Sequence, residues 1–205
     1  MEAEPIITQG IEQRHSTRNA QNHHRMPLLI VRRLRVMMPQ YQIKKMATEI
    51  RIGHGFDAHR FRRGRKLMLG GVEIPHDRGL AGHSDADAVL HALMNAMLGA
   101  LCEGDIGSHF PNDDPAYKNI ASTKLLKEVL RIVQRRRFKL INADVTVVAQ
   151  QPKLSPHYAA MRRSVAAICR VPANRISVKA ATTEKMGWTG SGKGLAAMAV
   201  VLLSR

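Results

Sequence analysis

Two side chains that commonly bind metal ions, Asp57 and His59, are separated by a single residue. They end the segment 53–59, Gly-His-Gly-Phe-Asp-Ala-His, which follows a strand-like stretch. Alternate residues of an extended chain point to the same side, so both side chains can reach one ion. Because an ordinary surface pair has the same spacing, a metal site requires a further ligand.

A third ligand is predicted from a helix that starts near residue 84. One stripe of that helix is polar, at Ser84, Asp87, His91 and Asn95. Asp87 lies one turn before His91, so we expect its carboxylate to accept a hydrogen bond from the ring and fix its tautomer. Asp57, His59 and His91 would then form an Asp-His-His site with one open position, the composition expected of functional zinc.

The segment 104–115 is predicted to contact a polar ligand. It combines glycine, proline and acidic side chains, which is typical of a loop. Its acids and amides would bind ligand hydroxyls. The alternative is an ordinary solvated loop.

The segment 179–194 is a candidate phosphate site. Two threonines, a glutamate and a lysine lead from a strand into a glycine-rich turn, whose backbone can approach phosphate oxygens closely. It lacks the Gly-x-x-x-x-Gly-Lys-Ser/Thr motif, and no helix is expected after it, so it is not a Walker loop. Glu184 could hold a hard divalent cation through its oxygens. A glycine-rich hairpin without a ligand is the alternative.

Interleaved strand and helix patterns must position these segments. Strands are predicted at 49–53, 66–74 (strands or a hairpin), 142–149, 176–181 and 195–203, and helices at 84–101, 122–138 and from Ser155 onward. Ser84 or Asp85 is expected to cap the first helix, and Ser155 with Pro156 to open the third. The class is therefore α/β or α+β, and we expect α+β, a mixed β-sheet with helices packed on one face.

The last strand indicates what covers the opposite face of the sheet. Residues 196–203 are apolar on both sides, which predicts burial on both. We expect helices on one face and another subunit on the other.

The net charge and composition of the chain favour some classes of function and exclude others. The net charge is +16, and residues 49–205 carry +11 of it, from 24 basic and 13 acidic side chains. Such a field attracts phosphates of a nucleic acid, a nucleotide or a diphosphate. Aromatic residues, at 4%, are too few to form a surface on which the bases of a single-stranded nucleic acid would stack.

No stretch approaches the ~20 apolar residues that cross a bilayer. Cys102 and Cys169 are expected to be reduced thiols in a cytosolic protein.

Residues 1–45 differ from the rest in being rich in glutamine, histidine and arginine without apolar periodicity. We expect a basic N-terminal extension that is disordered, or translated from upstream of a natural start at Met46. An organelle transit peptide is the alternative, although the segment has one serine, Ser16, and acids at Glu2 and Glu4. The folded domain is predicted to span 46–205.

Five motifs in series resemble the 2-C-methyl-D-erythritol 2,4-cyclodiphosphate synthases of the non-mevalonate isoprenoid pathway. They are Asp-x-His in 53–59, His-Ser-Asp-x-Asp in 83–91, Asp-Ile-Gly in 104–114, Ala-Gln-x-Pro-Lys in 142–153 and Thr-Thr-Glu-Lys in 179–194. The resemblance covers about 49–205 and leaves the first 45 residues uncovered. Each motif is weak alone, whereas the ordered series is highly specific.

The resemblance implies a lyase that forms homotrimers with active sites between neighbouring subunits. Its substrate would be a cytidine diphosphate ester of methylerythritol 2-phosphate. The 2-phosphate attacks the β-phosphorus, CMP leaves, and a cyclic diphosphate forms. No nucleic-acid or membrane partner is implied. The expected location is the bacterial cytoplasm, or a plastid if the extension is a transit peptide.

The resemblance also implies roles for individual residues. Asp57, His59 and His91 would bind zinc, and Glu184 would hold magnesium or manganese between the α- and β-phosphates. Two residues would stabilise the transition state, His83 and Thr182. Substrate contacts are implied for a longer set: Asp57, His59, His83, Ser84, Asp105, Ile106, Gly107, Phe110, Asp114, Ala149, Lys153, Leu154, Ser155, Ala181, Thr182, Thr183, Glu184, Trp188 and Ser191.

Two asparagines depart from the family pattern. Asn95 and Asn112 stand where aspartates are common. Asn95 is expected to remove a negative charge near the metal and to soften the support of its ligands. Asn112 is not counted among the firm ligand contacts.

Two further departures concern the trimer axis. Ser191 stands where an arginine is usual, and Met198 where many members have glutamate. Losing both partners of a buried ion pair leaves no uncompensated charge. We therefore expect a more apolar axial channel, lined by Phe56. Lys193 is expected to restore some positive charge, so a Lys193→Ala variant should lose substrate affinity.

Two other functions use the same features. A zinc hydrolase of phosphoesters would share the three metal ligands but release no cyclic product. A nucleic-acid-binding protein would use the basic residues in 60–66, five of seven, and in 135–137.

Overall fold

The computed structural model describes residues 48–205 and shows a mixed α+β fold. The predictions for residues 1–45 lie outside this range. Five strands form one sheet: β1 Ile50–Arg63, β4 Arg78–Leu80, β5 Lys139–Val148, β6 Ile176–Ala181 and β7 Gly194–Ser204. A separate hairpin pairs β2 Leu67–Leu69 with β3 Val72–Ile74. The helices are α1 Ala88–Ala100, α2 Ile106–His109, α3 Ser122–Arg135, α4 Tyr158–Cys169 and α5 Gly187–Gly190.

The strand order of the sheet is β4-β1-β7-β5-β6. β5 and β6 are parallel, and the other neighbours are antiparallel. The C-terminal ends of β1, β5 and β6 therefore lie at one end of the sheet, beside the start of β7. All the segments for which chemistry was predicted are near this end.

One face of the sheet is covered by helices. α1 is apolar apart from His91 and Asn95 and packs on β1 and β7, so almost all of its side chains are buried. Alternate residues of β5 and β7 point into the same core, among them Val145, Val147, Ala197 and Ala199. This alternation confirms the predicted packing of helices on one face.

The opposite face exposes large apolar side chains at the centre of the sheet. Ile52, Phe56, Met198 and Val200 are 72%, 52%, 37% and 45% exposed. Phe56 lies directly across from Met198 in the β1–β7 pair. Within one chain, therefore, the last strand is buried on one side only, whereas burial on both sides was predicted.

The predicted helix starts need correction. α1 begins at Ala88 and is capped by Asp87, which accepts from the Leu90 amide, so neither Ser84 nor Asp85 is the cap. The third long helix follows a 3₁₀ turn, Ser155–His157, in which Ser155 makes no capping hydrogen bond. In both places a proline or a tertiary contact fixes the preceding backbone, and the helix starts later than the pattern indicates.

Two predicted loops contain short helices. α2 lies within 104–115 and is capped by Asp105. α5 lies within the glycine-rich turn, for which no helix was expected. No helix among residues 48–205 is long and apolar enough to cross a membrane.

Candidate metal centre and substrate cleft

Asp57, His59 and His91 bring three potential ligand atoms together. Asp57 Oδ2 is 2.8 Å from His59 Nε2 and 3.2 Å from His91 Nδ1. The two nitrogens are 3.3 Å apart. Ligands of tetrahedral zinc, about 2.0–2.1 Å from the metal, are separated by ~3.3 Å. The structure thus confirms that these residues can hold a metal ion, and they are the one such group among the described residues.

Two glycines of β1 allow His91 to reach the other ligands. A Cβ atom at Gly55 would lie 2.0 Å from the Ala92 carbonyl oxygen, and one at Gly53 would lie 1.9 Å from that of Ala96. Only a strand without side chains at these two positions lets the backbone of α1 approach so closely. The Gly-x-Gly of the first motif is therefore part of the metal centre, although it offers no ligand.

The electrostatics of the cluster favour a charged carboxylate. Burial favours the neutral form of Asp57, but the adjoining imidazoles outweigh burial and lower its pKa to about 2. Burial lowers the pKa of His59, and the carboxylate more than offsets this, so that its pKa is raised. Asp57 Oδ2 is buried and forms no hydrogen bond of good geometry. An anionic oxygen that lacks a hydrogen-bond partner and lies between two imidazole nitrogens is suited to bind a cation.

Serines, and not Asp87, bind the outer nitrogen of His91. His91 Nε2 is 2.9 Å from Ser122 Oγ and 3.2 Å from Ser84 Oγ. Asp87 was predicted to be this partner, and the prediction is wrong. Its buried carboxylate accepts from the amides of Gly70, Gly71 and Leu90 at 2.8, 2.6 and 3.1 Å.

A cleft of about 190 Å³ opens over the cluster. Its other lining residues are Gly82, His83, Ser84, Ile106, Gly107, Phe110, Asn112, Tyr117 and Leu125. Five predicted substrate contacts, His83, Ser84, Ile106, Gly107 and Phe110, are thus brought to the metal ligands. His83 lines the cleft, and its Nε2 is buried without a hydrogen-bond partner among the described residues.

Two acidic residues that were predicted to contact the substrate form hydrogen bonds with residues of their own segments. Asp105 accepts from the amide and hydroxyl of Ser108, both at 2.8 Å, and these bonds lower its pKa. Asp114 accepts from the Ala116 amide at 2.8 Å. Neither lines the cleft, since each carboxylate caps a short helical turn.

Asn95 does not contact the metal ligands. Its amide nitrogen donates to the Phe56 carbonyl at 3.3 Å, and its oxygen accepts from the Ile106 amide at 3.0 Å. The residue thus ties the start of α2 to β1. The prediction that this asparagine softens the support of the ligands is not matched by its hydrogen bonds.

The segments around 149–155 and 181–191 form a second cluster. The Ala149 amide donates to the Ala181 carbonyl at 3.0 Å, and the Lys185 amide donates to Gln150 Oε1 at 3.2 Å. The Thr182 hydroxyl donates to the Glu184 carboxylate. Trp188 is 46% exposed beside them. These contacts bring together the predicted nucleotide segments.

The two clusters are separate within one chain. Asp57, Ala197, Val147 and Ala180 lie opposite one another in adjacent strands. Three strand spacings place the first and last Cα atoms about 14 Å apart. None of Thr182, Thr183 and Glu184 lines the cleft. The structure therefore does not bring Thr182 and Glu184 to the three metal ligands.

Sequence reasoning missed two residues that support the cleft. Ser122 contacts His91 across 31 positions of sequence. Arg65 donates to the carbonyls of Gly82, at 3.1 Å, and Ser84, on either side of His83. Neither contact can be predicted from the neighbouring sequence, because Ser122 has the pattern of a helix start and Arg65 belongs to a run of basic residues.

The chain resembles characterised proteins over nearly all of the described range. It is 54% identical to 2-C-methyl-D-erythritol 2,4-cyclodiphosphate synthase from Syntrophotalea carbinolica over 156 residues, covering 76% of this chain and 95% of the relative. It is 57% identical to the synthase of the same name from Moorella thermoacetica over 154 residues, covering 75% and 94%.

Similarity of structure agrees with similarity of sequence. A solved 2C-methyl-D-erythritol-2,4-cyclodiphosphate synthase in its CDP-bound form superposes with a TM-score of 0.69 at 40% identity, covering 75% of this chain and 99% of the other. Residues 50–204 match the model of the YgbB family. The chain therefore belongs to the YgbB family, whose relatives named here are 2-C-methyl-D-erythritol 2,4-cyclodiphosphate synthases.

Proposed function

We propose that this enzyme converts 4-diphosphocytidyl-2-C-methyl-D-erythritol 2-phosphate into 2-C-methyl-D-erythritol 2,4-cyclodiphosphate and CMP. The observation that carries the proposal is the Asp57, His59 and His91 cluster, which lines a cleft, in a chain that is 54% identical over 156 residues to a synthase of that name. The enzyme is accordingly a phosphorus–oxygen lyase of isoprenoid biosynthesis.

The reaction is an internal displacement at phosphorus. An oxygen of the 2-phosphate forms a bond to the β-phosphorus, and the bond from that phosphorus to the bridging oxygen breaks. CMP leaves with the bridging oxygen and its electron pair. The nucleophile is already an anion, so the protein needs no nucleophilic side chain. Holding both ends of one substrate together supplies much of the acceleration, up to about 7–11 kcal/mol for well-aligned groups.

Asp57, His59 and His91 would hold zinc, since two imidazoles and a carboxylate with one open position are a ligand set found at catalytic zinc sites. When bound, zinc supplies positive charge that neutralises and orients the phosphates of the substrate. Around it, His83 and Ser84 offer polar atoms to the phosphates, and Ile106 and Gly107 bring backbone to the methylerythritol portion. The basic body of the chain attracts a substrate with this many negative charges.

The second cluster would bind the nucleotide end. We infer that Ala149–Ser155 and Ala181–Glu184 hold cytidine through backbone groups, and that Glu184 holds magnesium or manganese with the diphosphate. Magnesium commonly binds through one or two carboxylates together with substrate phosphates. The CDP-bound state of the solved relative supports a nucleotide site in this fold.

A homotrimer would join the two clusters. Because they are about 14 Å apart across one sheet, a diphosphate that contacts both must lie between the metal cluster of one chain and the second cluster of another. The apolar sheet face with Ile52, Phe56, Met198 and Val200 exposed offers the buried surface for that assembly. The enzyme is proposed to act in the bacterial cytoplasm.

The test is an assay of the full chain with the CDP-methylerythritol phosphate substrate, followed by phosphorus NMR. We expect CMP and a cyclic diphosphate in equal amounts, loss of turnover with a chelator, and recovery when zinc and magnesium are returned. An Asp57→Asn variant should be inactive. Open-chain phosphates in place of the cyclic product would instead identify a zinc hydrolase.

A further inference from the structure

A hydrogen-bonded chain leads away from the metal cluster into the protein. His91 Nδ1 faces the other two ligands, and His91 Nε2 lies 2.9 Å from Ser122 Oγ. The Ser122 hydroxyl in turn donates to Asp85 Oδ1. His91 is 8% exposed and Ser122 is fully buried. Solvent therefore does not compete for the hydroxyl in the middle of this chain.

Proton counting fixes the direction of every bond in it. An ionised carboxylate only accepts hydrogen bonds, so the single Ser122 proton points to Asp85. The Ser122 oxygen must then accept, and the available proton is that on His91 Nε2. Neutral imidazole carries one N–H, so Nδ1 is left with a bare lone pair directed at the metal position.

Ser84 is the weaker partner of the ring. Its oxygen is 3.2 Å from His91 Nε2 and also accepts from the Ala86 amide at 3.1 Å. It has no carboxylate to orient its own proton. Ser84 alone is therefore compatible with either tautomer of His91, whereas the Ser122–Asp85 pair is compatible with one.

We propose that Ser122 and Asp85 are positioning residues that hold His91 as the Nε2–H tautomer and so prepare Nδ1 to bind zinc. The inference rests on the proposed function for the presence of zinc. It assigns a task to two residues that contact neither the metal position nor the cleft. Such outer partners of a ligating histidine typically change metal affinity by about 10–100-fold.

Two substitutions separate this role from simple support of the fold. The Ser122 amide also donates to both oxygens of Asp85, each at 3.1 Å, and this contact persists in Ser122→Ala. That variant removes the hydroxyl alone. Asp85→Asn keeps the shape and an oxygen that can accept from Ser122, but it removes the negative charge that orients the Ser122 proton.

The experiment measures zinc affinity of the full chain by competition with a chromophoric chelator. The metal-free protein, labelled with ¹⁵N at histidine, reports the tautomer, because protonated and bare ring nitrogens have different chemical shifts. We expect zinc to bind about 10–100-fold more weakly to both variants. Ser122→Ala should also show an Nδ1–H signal that the parent lacks, because Ser84 is then the remaining partner of His91 Nε2. Ser177→Ala is the matched control, since it removes the hydroxyl of an exposed serine on β6, outside the cluster and its partners, and should leave both readouts unchanged.

Zinc affinities within threefold of the parent in both folded variants, or a parent His91 in the Nδ1–H form, would overturn the proposal. Asp85→Asn, being isosteric, keeps the test open if Ser122→Ala unfolds. A failure of the proposed function looks different. In that case the parent itself binds no zinc, or binds zinc and produces no cyclic diphosphate.

Discussion

Asp85 and Asp87, both near the start of α1, have different roles although they are the same type of residue. Asp87 matches the spacing of a histidine partner, but its carboxylate is fully buried against the amides of a turn and of α1. Asp85 lies outside the helix and connects to His91 through Ser122. The difference is the backbone path before α1, which turns Asp85 towards α3.

The two hydrogen bonds of Asn95 can be tested with one substitution, because the amide both donates and accepts whereas a carboxylate can only accept. In Asn95→Asp the bond to the Ile106 amide is retained, while the bond to the Phe56 carbonyl is replaced by repulsion between two oxygens. We expect a loss of about 1–2 kcal/mol in the free energy of unfolding. Urea denaturation of parent and variant measures it. Equal stabilities would mean that the 3.3 Å contact with Phe56 contributes nothing.

The two cysteines should differ in reactivity. Burial raises the pKa of Cys169 to about 12, so almost none of it is thiolate at pH 8, whereas Cys102 is exposed. We expect a disulfide reagent such as Ellman's to modify one thiol in the native protein and two in denaturant. A Cys102→Ser variant should show no rapid reaction. Rapid modification of Cys169 would contradict its burial.

At the scale of elements, the metal centre depends on how closely α1 approaches β1. The helix has no polar face of its own apart from His91 and Asn95, because it lies between the sheet and the surrounding helices. Gly53 and Gly55 set the distance, and that distance decides whether a ligand on the helix can meet two ligands on the strand.

Gly55→Ala tests this packing. Its methyl group would lie 2.0 Å from the Ala92 carbonyl oxygen, so α1 must move and carry His91 with it. We expect a loss of about 2–3 kcal/mol in stability and a clear loss of zinc affinity in the same protein. Thermal unfolding and zinc competition measure the two effects.

Gly99→Ala is the matched control on the same helix and strand pair. Its methyl group meets only the His54 carbonyl oxygen at 3.7 Å, an ordinary contact. Gly99 lies in the last turn of α1, where alanine should raise stability by up to about 0.5 kcal/mol and leave zinc affinity unchanged. Should Gly55→Ala behave like this control, the close approach is not what positions His91.

At the scale of the whole molecule, the chain holds two separate clusters, each proposed to be one half-site, and one exposed apolar sheet face. The strand order places β1 and β6 on opposite sides of β7 and β5, so folding of one chain keeps the half-sites apart. Closed rotational symmetry can bring the first half of one copy to the second half of the next.

Mixing inactive variants tests the shared site. Asp57→Asn inactivates the metal half and Glu184→Gln the nucleotide half, so each alone should have little activity. After unfolding and refolding together in equal amounts, about a quarter of the sites in random trimers would combine two intact halves. We therefore expect activity near that fraction of the parent's. Mixing Asp57→Asn with His59→Asn should restore nothing, and equal failure of both mixtures would place the complete site within one chain.

Much of this protein follows from sequence patterns that act locally. Alternation and helical spacing predicted the long helices and most strands, because those patterns reflect which side of an element is buried. They did not predict β4, or that β1 continues beyond residue 53 to Arg63. Asp-x-His and the helical His91 predicted the metal ligands, since spacing along one strand and one helix fixes which side chains share a face. The departures at Ser191 and Met198 and the role of Lys193 stay predictions.

Tertiary structure alone decided which neighbours complete the ligands and how far apart the half-sites lie. Ser122 reaches His91, and Arg65 reaches the loop of His83, through contacts between segments distant in sequence. A hydroxyl or guanidinium can be satisfied by many partners, so only the packed backbone selects one. The separation of Asp57 from Glu184 likewise follows from strand order, which periodicity within a strand does not encode.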